Sequence, residues 1–305
     1  MTSVATDRLV DEIRSGRCVA FVGAGFSAPV CRRWGDLLTA VAGELADAGV
    51  RAQVDALLAT GGGRSYEIAA QLLEDAFAQH DTRPLLEVVR ALTRKADPTA
   101  EEEEHMRRRR ELLLGIPFAA VLTTNFDGEL RGPVLDAGTY ALLLREADRR
   151  WVETRFWRKK GAGPVLKLHG DLRGDRGITL SRRGYRARLY AEPGYLHALR
   201  SVFLTKTMLF LGTSLQDEYL NELRSEALAY LGPHASARPL AYAVLPDTPE
   251  VICAHYAKHE GVHVLAYDSR GGVEHGYLDE LLAELHARTH PARVMGPRLR
   301  GKRIL

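Results

Sequence analysis

Two kinds of apolar patterning divide the chain. Short unbroken apolar runs mark strands buried on both faces, and longer stretches with an apolar residue every three or four positions mark amphipathic helices. The strand-like runs are Cys18–Val22, Phe118–Leu122, Val165–Leu168, Met208–Leu211, Leu240–Leu245 and Val262–Tyr267. Among the helical stretches, the first is predicted to be capped by Thr6, to carry Leu9 and Ile13 on one face and to stop at Gly16. A second repeats Leu37, Leu38, Val41, Leu45 and Ala48 from Trp34 onward. A third follows the Gly61-Gly62-Gly63 break with Ile68, Ala69, Leu72, Leu73, Ala76 and Phe77, and a fourth runs from Leu85 to Leu92 after Pro84. Further helices are expected at Tyr195–Thr205, Tyr219–Leu231 and Glu250–Glu260, and over a last stretch with Leu278, Leu281, Leu282 and Leu285.

Between the first strand and residue 115 the pattern is helical throughout. Elsewhere strands and helices alternate, which predicts a parallel sheet covered on both faces. The expected fold is therefore α/β: a Rossmann-like, doubly wound parallel sheet with an inserted helical subdomain at about 45–112. One domain is expected over 1–290, followed by a basic tail over 291–305.

Charge and composition narrow the function classes. Glu101 to Arg110 reads as a solvated helix face, in which Glu103–Arg107 and Glu104–Arg108 are i,i+4 pairs worth about 0.2–0.5 kcal/mol each. The 42 basic and 39 acidic residues give a formal net charge of +3. Five of the basic residues (Arg293, Arg298, Arg300, Lys302 and Arg303) sit in the last fifteen positions, leaving 37 basic against 39 acidic in the body. A slightly acidic body offers no nucleic-acid footprint. The tail reads as solvated chain or as an arm that docks on a neighbouring subunit or an acidic partner. Cys18, Cys31 and Cys253 form no C-x-x-C pair, which argues against a disulfide framework and a cysteine zinc site. No run approaches a membrane span, and Met1–Gly16 lacks an apolar signal core, so a cytoplasmic, metal-free protein without membrane contact is expected.

The chemistry lies where the strands end. Cys18–Val22 runs into Gly23-Ala24-Gly25-Phe26-Ser27-Ala28, the loose dinucleotide pattern G-x-G-x-x-G/A. This stretch suits a turn that points backbone N–H groups outward at a pyrophosphate, and equally a plain glycine turn between core elements. A dinucleotide dehydrogenase would place a second strand and a ribose-binding acid about 20 residues on, whereas Glu44 and Asp47 fall inside a predicted helix. That argues against a dehydrogenase. Three more strands end in Thr124-Asn125-Phe126-Asp127, His169-Gly170-Asp171 and Gly212-Thr213-Ser214. In an open parallel sheet, ligands bind outside the carboxyl ends of the strands. Gly23, Ser27, Asn125, Asp127, His169, Gly212 and Ser214 are thus candidates for one crevice, although each singly also fits a turn or a cap.

This ordered set of four strand ends resembles the NAD-consuming sirtuin-like family over about residues 8 to 290. The resemblance implies that Gly23, Ala24, Gly25, Ser27, Thr124, Gly212, Thr213 and Ser214 hold the dinucleotide. It also implies that Asn125 and Asp127 line the nicotinamide pocket and that His169 is the catalytic histidine. The four-cysteine zinc module of the family's deacylases is missing. Trp34-Gly35-Asp36-Leu37-Leu38 instead looks like the divergent bacterial branch whose members cleave NAD as antiviral effectors. The resulting expectation is an NAD+ glycohydrolase that depletes NAD in antiphage defence. An ADP-ribosyltransferase, a deacylase and a non-catalytic nucleotide sensor on the same fold are the alternatives. The chemistry needs a bound pyrophosphate, an oriented ribose, a placed water and a neutral histidine to take a proton, with no metal. By family analogy the restraint on such an enzyme is a homo-oligomer or a separate activating partner, such as a HerA-like ATPase or a nucleic-acid sensor.

Overall fold

A computed structural model of the chain describes residues 4–80, 83–135, 163–174, 177–191, 193–215, 218–231, 239–269 and 276–290. The strands are β1 (Cys18–Val22), β2 (Val121–Thr123), β3 (Val165–Lys167), β4 (Thr207–Leu211), β5 (Ala241–Pro246) and β6 (Val262–Tyr267). They form one six-stranded sheet, parallel throughout, in the order β3-β2-β1-β4-β5-β6. Before β2 come α1 (Val4–Arg14), α2 (Trp34–Gly43), α3 (Ala48–Thr60), α4 (Gly63–His80), α5 (Leu85–Thr93) and α6 (Ala100–Gly115). After β3 come α7 (Arg182–Ala191), α8 (Pro193–Thr205), α9 (Glu218–Leu231), α10 (Glu250–His259) and α11 (Gly276–Thr289). The expected Rossmann-like α/β architecture is present.

Alternation within each strand feeds two cores. Cys18, Ala20 and Val22 of β1 enter the one shared with α1, α6 and α11. Val19 and Phe21 enter the other, shared with α7, α8 and α9. This double burial is why the strands read as unbroken apolar runs. Phe21 and Phe210 are register neighbours with ring centroids 5.3 Å apart, and truncating either to alanine costs about 3–5 kcal/mol.

A third apolar cluster belongs to α2–α5, with Leu38, Val54, Leu73 and Val89 among its members. Two residues of this cluster, Phe126 and Leu172, come from the loops that follow β2 and β3. Helix α6 instead packs Met106 and Leu113 into the core of the sheet. Helices α2–α5 thus share a core of their own, and α6 packs on the sheet.

Several local expectations change for identifiable reasons. Helix α1 already runs at Val4, so Thr6 is a buried interior residue and not a cap, whereas Gly16, at φ +68°, does end the helix. The pattern from Trp34 to Ala48 is two helices, because Asp47 Oδ1 accepts from Gly49 N (2.7 Å) and Val50 N (3.1 Å) and starts α3. Glu103 pairs with Arg94, and Arg107 takes Glu104 and Glu111, so the two expected i,i+4 pairs are replaced. Helix α7 has Leu189 as its one buried residue among ten and carries no readable apolar stripe.

Candidate active site

β1 and β4 lie side by side, and from this pair the chain winds outward in both directions. That seam is the topological switch point of a doubly wound sheet, where ligands are bound. The two strands end in glycine loops that pack backbone against backbone. A Cβ on Gly23 would lie 2.7 Å from Gly212 O, and one on Gly25 2.9 Å from the same atom. Gly212 itself has φ +65°, and a Cβ there would meet Phe26 N at 2.3 Å. Gly23 N–H donates to Leu211 O and Gly25 N–H to Gly212 O, both at 2.9 Å. These two N–H groups therefore do not point outward at a phosphate, as the glycine pattern suggested. They tie the loops together. Three residues beyond Gly212, Leu215 also has a left-handed backbone, at φ 58°. For a non-glycine residue this costs about 1–2 kcal/mol, and the Asn221 side chain holds the turn by donating to Leu215 O at 2.9 Å.

Over this seam lies a cavity of about 440 Å³, within the roughly 300–1,000 Å³ range of small-molecule sites. Gly23, Ala24, Gly25, Thr124, Asn125, Asp127, His169, Gly212, Thr213 and Ser214 all line it. Ser27, expected among them, lies beneath, at 1% exposure. Trp34, Tyr66 and Glu67 of the helical unit form part of the far wall, and Tyr267 and Leu278 close the side toward β6 and α11.

Asn125 follows β2 and is held rigidly. Its backbone N–H donates to Thr123 Oγ1 (3.0 Å), whose hydroxyl donates to Val22 O (2.9 Å). Its amide nitrogen donates to Gly23 O and to Ser27 Oγ, both at 3.1 Å. A carbonyl can only accept, so Gly23 O fixes the NH2 end inward and leaves Oδ1 as the polar atom presented to the cavity.

His169 follows β3. Its backbone carbonyl accepts from Thr179 N at 2.8 Å, and Gly170 turns the loop at φ +96°. The imidazole takes no part in that turn. Nε2 is shut off from solvent with no hydrogen-bond partner among the described residues, and the ring stands edge-on to Tyr185 (4.8 Å, 83°), which stacks on Tyr219 (4.6 Å, 11°). Burial, reinforced by the Arg188 charge, pushes the imidazole down to about 3. His169 is therefore neutral at physiological pH.

Asp127 is turned into the protein as much as toward the cavity. Burial pushes its carboxyl up, against the Glu129 amide, the Lys167 charge and a hydrogen bond from Ser27. Lys167 is fully buried on β3; its ammonium donates to Asp127 O and lies 3.3 Å from Asp171 Oδ2. Burial pulls this lysine below its ordinary range, while Asp171 and Asp127 oppose the shift. Sequence reading passed over Lys167 because it sits inside an apolar run.

Arg109, likewise missed, lies in the run read as a solvated face. Its guanidinium is buried, pairs with Asp279 of α11 at 2.7 and 2.6 Å, and donates to Phe26 O at 2.9 Å. It thereby struts the glycine loop from behind. Among the described residues no group of three or more His, Cys, Asp or Glu could hold a metal ion, and no helix is long and apolar enough to cross a membrane.

A comparison with curated proteins finds no match. The family model of the SIR2-like domain matches residues 119–265, which takes in Asn125, Asp127, His169 and the Gly212-Thr213-Ser214 loop and leaves the Gly23–Ala28 loop outside the matched span. With the parallel sheet and its switch-point cavity, this match supports a sirtuin-like family.

Proposed function

We propose that the protein is an NAD+ glycohydrolase, releasing nicotinamide and ADP-ribose. The observation that carries the reading is the meeting of Asn125 Oδ1 and a neutral His169 in one cavity over the glycine seam. In this reading the pyrophosphate lies along the loops after β1 and β4, at the switch point. The bond between the ribose anomeric carbon and the nicotinamide nitrogen breaks, and its electron pair neutralises the pyridinium. A water oxygen bonds to that carbon, and the water gives up a proton. Asn125 Oδ1 accepts a hydrogen bond from the water or a ribose hydroxyl and so orients it. His169 takes the proton, a role that typically contributes about 10²–10⁴-fold.

Incubation of the purified chain with NAD+ followed by separation of nicotinamide, ADP-ribose and modified protein tests the reading. Equimolar nicotinamide and free ADP-ribose are expected. Folded protein that releases no nicotinamide overturns it, and ADP-ribose retained on protein replaces hydrolysis by transfer. We extend the proposal to an antiphage effector whose turnover is raised above this basal level by self-assembly or by a separate activating partner.

A further inference from the structure

A histidine that handles a proton is normally oriented by a hydrogen bond at its other ring nitrogen. His169 lacks that contact: Nε2 is shut off from solvent and has no hydrogen-bond partner among the described residues. Its ring orientation is therefore left to packing. The packing comes from Tyr185, whose ring stands at 83° to the imidazole with the centroids 4.8 Å apart. That is the edge-to-face arrangement aromatic rings prefer.

Tyr185 is itself braced. Tyr219, in the first turn of α9, stacks on it at 4.6 Å and 11°. Leu189, one turn further along α7, shares its helix face and is buried in the core beneath. The start of α7 is fixed by Ser181, whose buried hydroxyl donates to Glu74 Oε2 of α4 at 2.5 Å and accepts from Gly184 N at 3.2 Å. Arg183 adds an ion pair with Asp75 of the same helix at 3.2 Å. Upstream, Thr179 N–H donates to His169 O at 2.8 Å, and Ile178 bridges Gly170. The chain thus leaves the histidine's backbone at 178–179 and returns to its side chain at 185.

We infer that Tyr185, braced by Tyr219, is a positioning residue that sets the orientation of the His169 imidazole in the cavity. This rests on His169 taking the proton in the proposed NAD+ chemistry. Ring packing here does what a hydrogen bond does for other catalytic histidines. The aromatic face of Tyr185 is what matters, and its hydroxyl is dispensable. A leucine in its place removes the flat face and lets the imidazole turn away from the ribose. Tyr219 acts through Tyr185.

The test combines kinetics with a readout independent of turnover. In Tyr185→Leu, checked for folding by circular dichroism, kcat is expected to fall about tenfold or more while KM for NAD+ stays within about threefold. Tyr185→Phe, which keeps the ring, is expected to stay within about threefold of wild type in both. Tyr219→Leu is expected to lower kcat in the same direction as Tyr185→Leu. In a His169→Ala background, Tyr185→Leu is expected to cost less than about twofold more, because the group it positions is already gone. The His169 Cε1–H signal, assigned in NMR spectra by its loss in His169→Gln, is expected to hold its place in Tyr185→Phe and to move in Tyr219→Leu. An undiminished kcat in folded Tyr185→Leu, a full further loss in the His169→Ala background, a Tyr185→Phe as impaired as Tyr185→Leu, or an unmoved His169 signal in folded Tyr219→Leu overturns the inference. If Tyr185→Leu does not fold, Tyr185→Phe and Tyr219→Leu decide by the same criteria. If the wild type fails to cleave NAD+, the functional proposal falls, and the His169 signal still decides the positioning role.

Discussion

Replacing Gly25 or Gly212 by alanine tests whether the glycines serve ligand approach or the contact between the two loops. At Gly25 the new methyl would sit 2.9 Å from Gly212 O and 3.1 Å from Gly212 Cα, both backbone atoms. The loop must move by a few tenths of an ångström, which strains the Gly25 N–H to Gly212 O bond. Overpacking of this kind costs about 1–3 kcal/mol and the lost hydrogen bond about 1 kcal/mol more, so roughly 2–4 kcal/mol is expected. Gly212→Ala adds a left-handed backbone penalty of about 1–2 kcal/mol and a contact of 2.3 Å with Phe26 N, and is expected to be worse. Gly43→Ala is the control: nothing lies within 4 Å of its Cβ, and a small gain of up to about 1 kcal/mol is expected at this helix end. At roughly 2 °C per kcal/mol, thermal melts should place Gly25→Ala about 4–8 °C below wild type and Gly212→Ala lower still. Both variants melting with wild type while losing NAD+ binding would refute the packing argument and return the glycines to phosphate approach.

His169→Ala is expected to remain folded and to lose about 10²–10⁴-fold in turnover, and calorimetry should still detect NAD+ on it, because the proposed pyrophosphate contacts lie on other loops. His169 has an ordinary value near 6.5 and a folded value near 3, so below pH 6.5 the unfolded chain takes up a proton that the folded chain does not. Stability contributed by the neutral ring is complete above pH 6.5 and is lost as pH falls, by about 3 kcal/mol at pH 4.5; denaturant midpoints in His169→Phe should lack that acid-side loss. Arg109→Met strands Asp279 with His105 as its remaining partner and should cost about 3 kcal/mol in denaturant unfolding, with Arg109→Met/Asp279→Leu recovering part of it. Deleting residues 291–305 should leave NAD+ cleavage intact and change the light-scattering mass or partner capture; an unchanged mass together with undiminished partner binding would mark those residues as plain solvated chain.

The sheet was legible because parallel strands are apolar on both faces, and the four strand ends fell at the places where the pattern broke. Position along a strand, however, says nothing of what a polar residue does there. Ser27 and Asn125 both read as cavity residues, yet one lies beneath the other and orients it. Lys167 was absorbed into an apolar run and Arg109 into a charge run, since a buried cation is recognised by its partners across the fold and not by its neighbours in sequence. The pair α2 and α3 merged because apolar spacing continued across the Asp47 cap, and α7 was overlooked because it buries so little.

Phe126 stands between Asn125 and Asp127 in sequence, but its ring is lodged in the helical unit, 6.2 Å from Trp34. Leu172, three residues beyond His169, is lodged there too, and its carbonyl is gripped by Arg90 of α5 at 2.7 Å. The two loops are themselves joined by the bond from Leu172 N to Phe126 O at 3.0 Å. The helical unit therefore works as a handle on the proposed reacting groups. Any force that lifts α2–α5 off the sheet must either strip two apolar side chains into water or drag Asn125 and His169 out of alignment together. The proposed chemistry is thus wired to the docking of a part of the chain that supplies none of its reacting groups.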